Sequence, residues 1–99
     1  MNDHAPTTSE AGPTAAWIET LLRQALQPTQ LHVIDESAAH AGHAGANALG
    51  QGTHFRIRIA AAALRGRSRV AAHRLVYDAL RPAFQAGLHA LAIEVLPPE

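Results

Sequence analysis

The chain contains no cysteine and no lysine, and only four aromatic residues: Trp17, Phe55, Tyr77 and Phe84. Without cysteine there is no disulfide, no thiolate nucleophile and no cysteine-held zinc. Any sulfur ligand to a metal would have to come from another molecule. Without lysine, all side-chain positive charge apart from histidine is arginine, and the formal net charge is zero. That balance argues against a chain that is basic throughout, but it leaves room for a local patch. Seven of the eight arginines lie between Arg56 and Arg81, where Asp78 is the one acid. No apolar run approaches the length needed to cross a bilayer. The opening Met1-Asn2-Asp3-His4-Ala5-Pro6 has no basic segment followed by an apolar one, so a secretory signal is not expected. A single soluble, cytoplasmic domain is the expectation, because 99 residues leave no room for two cores. Much of the 47% apolar content is alanine, which buries little surface, so ordinary or marginal stability is expected.

The pattern along the chain divides it into a tail, residues 1–12, and a domain, residues 13–99. The tail is rich in Thr, Ser, Pro and Gly and is expected to fray. Pro13 suits the first position of a helix. Ile18, Leu21, Leu22, Ala25 and Leu26 then recur at helical spacing until Pro28 stops the helix. Residues 31–36 read as a strand. In residues 53–59, Phe55, Ile57 and Ile59 alternate with His54, Arg56 and Arg58, a half-buried strand. Between the two strands, Ser37 to Gly52 carries four glycines, and loops this long are functional or disordered. Ala60–Leu64 reads as a short helix, Gly66 as its cap and Ser68 as the N-cap of a longer helix. Val70, His73, Tyr77, Leu80 and Phe84 form the apolar stripe expected of that helix. Pro82 is expected to bend its last turn and Gly87 to end it. A final strand then runs from Leu88 to Leu96.

This order predicts an α+β fold, αββααβ, with a three-stranded mixed sheet and the helices packed on one face. The first two strands can pair antiparallel. The last follows a helical crossover, so beside the second strand it runs parallel to it. Parallel neighbours start at the same edge of a sheet. His89 would then lie near Thr53, where the glycine-rich loop ends, and His40 or His43 in that loop could come within its reach. From the residues alone, His89 reads first as a hydrogen-bonded histidine at a strand start. His40 and His43 read equally as members of a solvated loop or as ligands. His73 reads as a buried structural histidine, and His54 as facing away from the strand's apolar side.

Arg65, Arg67, Arg69 and Arg74 surround the junction between the two later helices. Arginines and helix N-termini suit phosphate. Gly66-Arg67-Ser68-Arg69 lacks the second glycine of the G-x-x-G loop with which KH domains grip a nucleic-acid backbone. KH-type RNA binding is therefore disfavoured, and duplex DNA or an acidic protein surface remains. No enzyme is expected. There is no nucleophile elbow, no phosphate loop and no zinc-type histidine spacing. Asp35 and Glu36, adjacent on a strand, point to opposite faces and cannot work as a carboxylate pair.

The chain resembles the BolA family. The resemblance is carried by Asp35-Glu36-Ser37, His40-Ala41-Gly42-His43-Ala44-Gly45-Ala46, Thr53-His54-Phe55-Arg56, Ser68-Arg69-Val70, His73-Arg74-Leu75-Val76-Tyr77-Asp78-Ala79-Leu80 and Gly87-Leu88-His89-Ala90-Leu91, which together span most of residues 31–96. It implies a fold similar to a type II KH domain and a small protein that forms a heterodimer with a monothiol glutaredoxin. It further implies a [2Fe-2S] cluster shared with the glutaredoxin and its glutathione, with none held by the isolated chain. Roles in iron-sulfur trafficking, iron regulation and, in some bacteria, transcription go with it. In the family, one ligand is the histidine of the last strand, which maps to His89. The other lies in the loop between the first two strands and maps to His40, with His43 as the alternative. Ala72, where the family often has arginine, and Pro82, inside a helix that is usually uninterrupted, are the departures.

Overall fold

The computed structural model describes residues 13–37 and 54–97. His40, His43 and Thr53 lie outside the described residues, as does the tail of residues 1–12. The elements are α1 (Ala15–Leu26), β1 (Gln30–Asp35), β2 (His54–Ala60), a 3-10 turn (Ala62–Leu64), α2 (Arg69–Ala79), α3 (Arg81–Gln85) and β3 (Ala90–Val95).

The sheet order is β1-β2-β3. β1 pairs antiparallel with β2, Val33 opposite Ile57, and β3 pairs parallel with β2, His54 opposite Ala90. The mixed sheet and the place of the last strand are those expected from the sequence. Phe55, Ile57 and Ile59 are almost fully buried, and they join Ile18 and Leu22 of α1 and Val76 of α2 in one core. Each such side chain contributes about 1.5–3 kcal/mol by leaving water for the interior. The opposite face of β2 carries Arg56 and Arg58, both exposed.

Local chemistry sets the element ends. The Thr14 hydroxyl accepts the Trp17 N–H at 3.1 Å and caps α1, so the helix begins two residues later than Pro13 suggests. Its C-cap, Gln27, takes the left-handed conformation, φ 49°. The Ser68 hydroxyl accepts the Ala71 N–H at 3.1 Å and starts α2 as expected.

Two expectations for the later helices need correction. The long helix is broken, not merely bent. Proline has no N–H to donate and its ring collides with the carbonyl four residues back. The chain therefore leaves α2 at Leu80 (φ −101°, ψ 12°) and restarts with Pro82 in the first turn of α3, where proline is tolerated. The expected stripe holds at Leu80 and, on the edge of the core, Phe84, but Val70 and Tyr77 are 64% and 47% exposed, and Ala72, Val76 and Ala83 face the core instead. Alanine at positions 72 and 83 hid that stripe, because a small residue looks indifferent in sequence yet permits close packing. His73 is consequently half-buried on the flank of α2 and not in the core.

Candidate functional site

The start of β2 is held by a compact set of bonds to the end of β1. The Asp35 carboxylate accepts the Ser37 N–H at 2.9 Å, which turns the chain. The Glu36 N–H donates to the His54 carbonyl at 2.8 Å. The His54 N–H donates to the Ser37 hydroxyl at 3.0 Å. Ser37 is fully buried, so this hydroxyl replaces water that the His54 amide could not otherwise reach. Asp35 and Glu36 do diverge: Glu36 pairs with Arg56 at 3.0 Å on the exposed face.

His89 arrives at the same edge from the other side. Gly87, at φ 123°, ends the helical region in a conformation that disfavours any side chain. Leu88 is buried, and its N–H donates to the Ala83 carbonyl at 3.0 Å. With Leu88 fixed, His89 is the last residue before β3 and is exposed. The parallel register sets His54 opposite Ala90, and the rings of His54 and His89 lie 5.5 Å apart between centroids, tilted by 52°. His54 does share the outward face with Arg56 and Arg58, but it is only 9% exposed. The alternation in sequence placed it on the right side and missed both its burial and its partner. The parallel pairing expected from the sequence brings the two strand starts to one edge, and the observed starts, His54 and Ala90, then set His54 beside His89.

A shallow depression of about 250 Å³ adjoins the pair, lined by Glu36, His54, Phe55, Arg56 and Ala90–Ala92. Among the described residues, no three His, Cys, Asp or Glu side chains converge as a metal-ion site. Here the described residues offer one exposed imidazole, His89, backed by a second. Imidazole nitrogen is an acceptable donor to cluster iron, so this donor fits a centre whose thiolates come from a partner.

The opposite end of the sheet has different chemistry. Arg65 and Arg67 line a cleft of about 260 Å³ with Ala60, Leu64 and Val95. Arg67 and Arg69 line another, of about 450 Å³, which takes in His73 and Glu94 and reaches back to Arg56. Among the described residues four ion pairs form, and they use Arg23, Arg56, Arg58 and Arg81. The other four arginines, Arg65, Arg67, Arg69 and Arg74, take part in none of these pairs and are all exposed.

The sequence profile described as BolA-like protein matches residues 22–99. The chain belongs to the BolA family. Its similarity to BolA-like protein 1 of Mus musculus is 38% identity over 91 residues, 92% of this chain and 63% of that one. It is 48% identical over 82 residues to the Sinorhizobium protein called "Uncharacterized protein in cobS 5'region", covering 82% of this chain and 87% of that one. The structure of the BolA domain of SufE1 from Arabidopsis thaliana superposes with a TM-score of 0.72 at 41% identity, over 82% of this chain and 87% of that chain. The BolA fold thus accounts for the strand order and for the edge at which His54 and His89 meet. Among the described residues no helix is long and apolar enough to cross a membrane.

Proposed function

We propose that this BolA-family chain is an accessory protein, not an enzyme, that forms a heterodimer with a monothiol glutaredoxin and shares a [2Fe-2S] cluster with it. It would act in iron-sulfur trafficking or iron regulation. The observation that supports this most is His89: an exposed imidazole on a rigid strand start, in a chain that has no thiol of its own. His89 would be one nitrogen ligand and His40 the other, with His43 as the alternative. The glutaredoxin and its glutathione would supply the sulfur ligands. Histidine ligation raises a cluster's reduction potential over an all-cysteine cluster. A partner that depends on free thiols would need a reducing compartment, such as the cytoplasm.

The test is visible absorbance and circular dichroism of the two proteins mixed and reconstituted with iron, sulfide and glutathione. His89→Ala is expected to remove the heterodimer spectrum. His40→Ala should weaken it less, because His43 offers a second imidazole three residues on. If the wild-type chain neither alters the glutaredoxin cluster spectrum nor binds glutaredoxin by calorimetry, the reading fails. An unchanged spectrum for His89→Ala would overturn the ligand assignment alone.

A second reading, a DNA-binding regulator, is favoured by the division of the arginines. Arg65, Arg67, Arg69 and Arg74 are the arginines left out of the ion pairs among the described residues, and the first three cluster around the turn and the start of α2. Titration of duplex DNA across a salt series decides it. Binding that persists at physiological salt and falls for Arg67→Ala with Arg69→Ala supports the regulator; binding that vanishes with salt reduces the patch to nonspecific attraction.

A further inference from the structure

We infer that His54 is a positioning residue for His89: its buried ring is the wall that holds the exposed imidazole in one orientation. The inference rests on the reading of His89 as a metal ligand and assigns a role to a residue that this reading does not use.

Three observations carry it. The two rings are 5.5 Å apart and tilted, a contact distance for aromatic side chains. Their burial is unequal: His54 is 9% exposed, while His89 is exposed, so one ring is fixed and the other leans on it. The backbone of His54 is tied through both its polar groups, by the Ser37 hydroxyl to its N–H and by the Glu36 N–H to its carbonyl. The wall is therefore anchored to β1 and the ring it supports belongs to the start of β3. Among the described residues, Ala90 and Ala92, on the same face of β3, carry only a methyl group and cannot replace it.

An exposed histidine before a strand samples several rotamers, and fixing it on binding costs conformational entropy. A ring packed beside it removes rotamers in the free chain and lowers that cost, as supporting residues do for ligands in metal sites. The role needs the plane of the His54 ring and not its nitrogens. That requirement separates positioning from ligation.

Two variants and two readouts test this. His54→Phe keeps a flat ring of similar footprint and has no nitrogen; His54→Ala removes the ring. In the free chain, proton NMR should show cross-relaxation between the rings at positions 54 and 89 in the wild type and in His54→Phe. In His54→Ala the His89 ring signals should move to rotamer-averaged values. This readout needs no partner, so it decides the role of His54 even if the glutaredoxin reading fails. In the reconstituted heterodimer, His54→Phe should keep the wild-type circular dichroism. His54→Ala should weaken retention of the cluster by about 10-fold or more, the usual scale for removing a supporting residue. Binding of apo glutaredoxin by calorimetry should be unchanged in both. Should His54→Ala not fold by far-ultraviolet circular dichroism, His54→Leu, which fills the volume without a plane, takes its place. The inference is overturned if His89 is as ordered without the ring as with it. It is also overturned if His54→Phe loses the cluster as completely as His89→Ala, for the nitrogen would then be what matters.

Discussion

The two ends of the sheet are built by opposite means. At the end where β2 and β3 begin, the functional geometry comes from backbone register, a buried serine and two short-armed rings. At the end where they finish, long arginine side chains project from a turn and from the start of α2, and their charge takes part in no ion pair among the described residues. The first end has fixed geometry and charges that are paired, Glu36 with Arg56, which would suit ligation of a defined centre. The second has exposed cationic charge outside any ion pair among the described residues, with Arg67 held by the Ala63 carbonyl at 2.6 Å, which would suit an anionic surface. The two readings of its function thus rest on different stretches of one small sheet, with Arg56 bordering both.

That contrast predicts unequal sensitivity. The largest effect is expected for Phe55→Ala. Phe55 is 2% exposed and follows His54 on the core face of β2. Its truncation should cost about 3–5 kcal/mol in urea denaturation, the range for deleting a buried phenyl ring. A cost below about 1 kcal/mol would show that this end of the sheet does not depend on core packing.

Ser37→Ala comes next. It removes the acceptor of the His54 N–H in a fully buried place, and should cost about 1–3 kcal/mol, the scale for a buried donor deprived of its partner. It should also loosen the His89 ring in the same NMR readout. Equal stability for Ser37→Ala and wild type would mean that the join between β1 and β2 does not need the hydroxyl.

Smaller still is the Arg58–Glu94 pair, 3.1 Å apart with both side chains about half exposed. A double-mutant cycle with alanine should give a coupling of about 1 kcal/mol or less, falling with added salt. The smallest change in stability is expected for Arg67→Ala with Arg69→Ala, within about 0.5 kcal/mol. For a polyanion, however, the same double variant should flatten the slope of log affinity against log salt by about 0.9 for each phosphate it no longer neutralises. A double variant that unfolds more readily than Ser37→Ala would erase the distinction between the two ends.

The arginine end was legible in sequence and the histidine end only partly so. Charge clustering is a property of neighbours along the chain, and Arg65, Arg67 and Arg69 announce themselves by adjacency. Ser68 as a cap and the period-two run from His54 to Ile59 were readable for the same local reason. The meeting of His54 with His89 joins residues far apart in the numbering. It required the register as well as the strand order, and a slip of one residue would put His54 on the other face. Val70 and Tyr77 misled because large apolar residues were credited with burial that Ala72 and Ala83 in fact achieve. At Pro82 the local rule was right in kind and too weak in degree, because the chain had a stable alternative in restarting the helix.

The parallel pairing of β2 and β3 also has a consequence for the order of events when the chain folds. The hairpin of β1 and β2 closes a single loop, whereas β3 reaches β2 only by a longer closure that spans the turn, α2 and α3. The partnership of His54 and His89 is therefore among the last to form. During synthesis, a chain that has not yet released β3 carries the wall without the ring that leans on it. On the proposed reading of His89, the ring would gain its supporting contact only once β3 has docked beside β2.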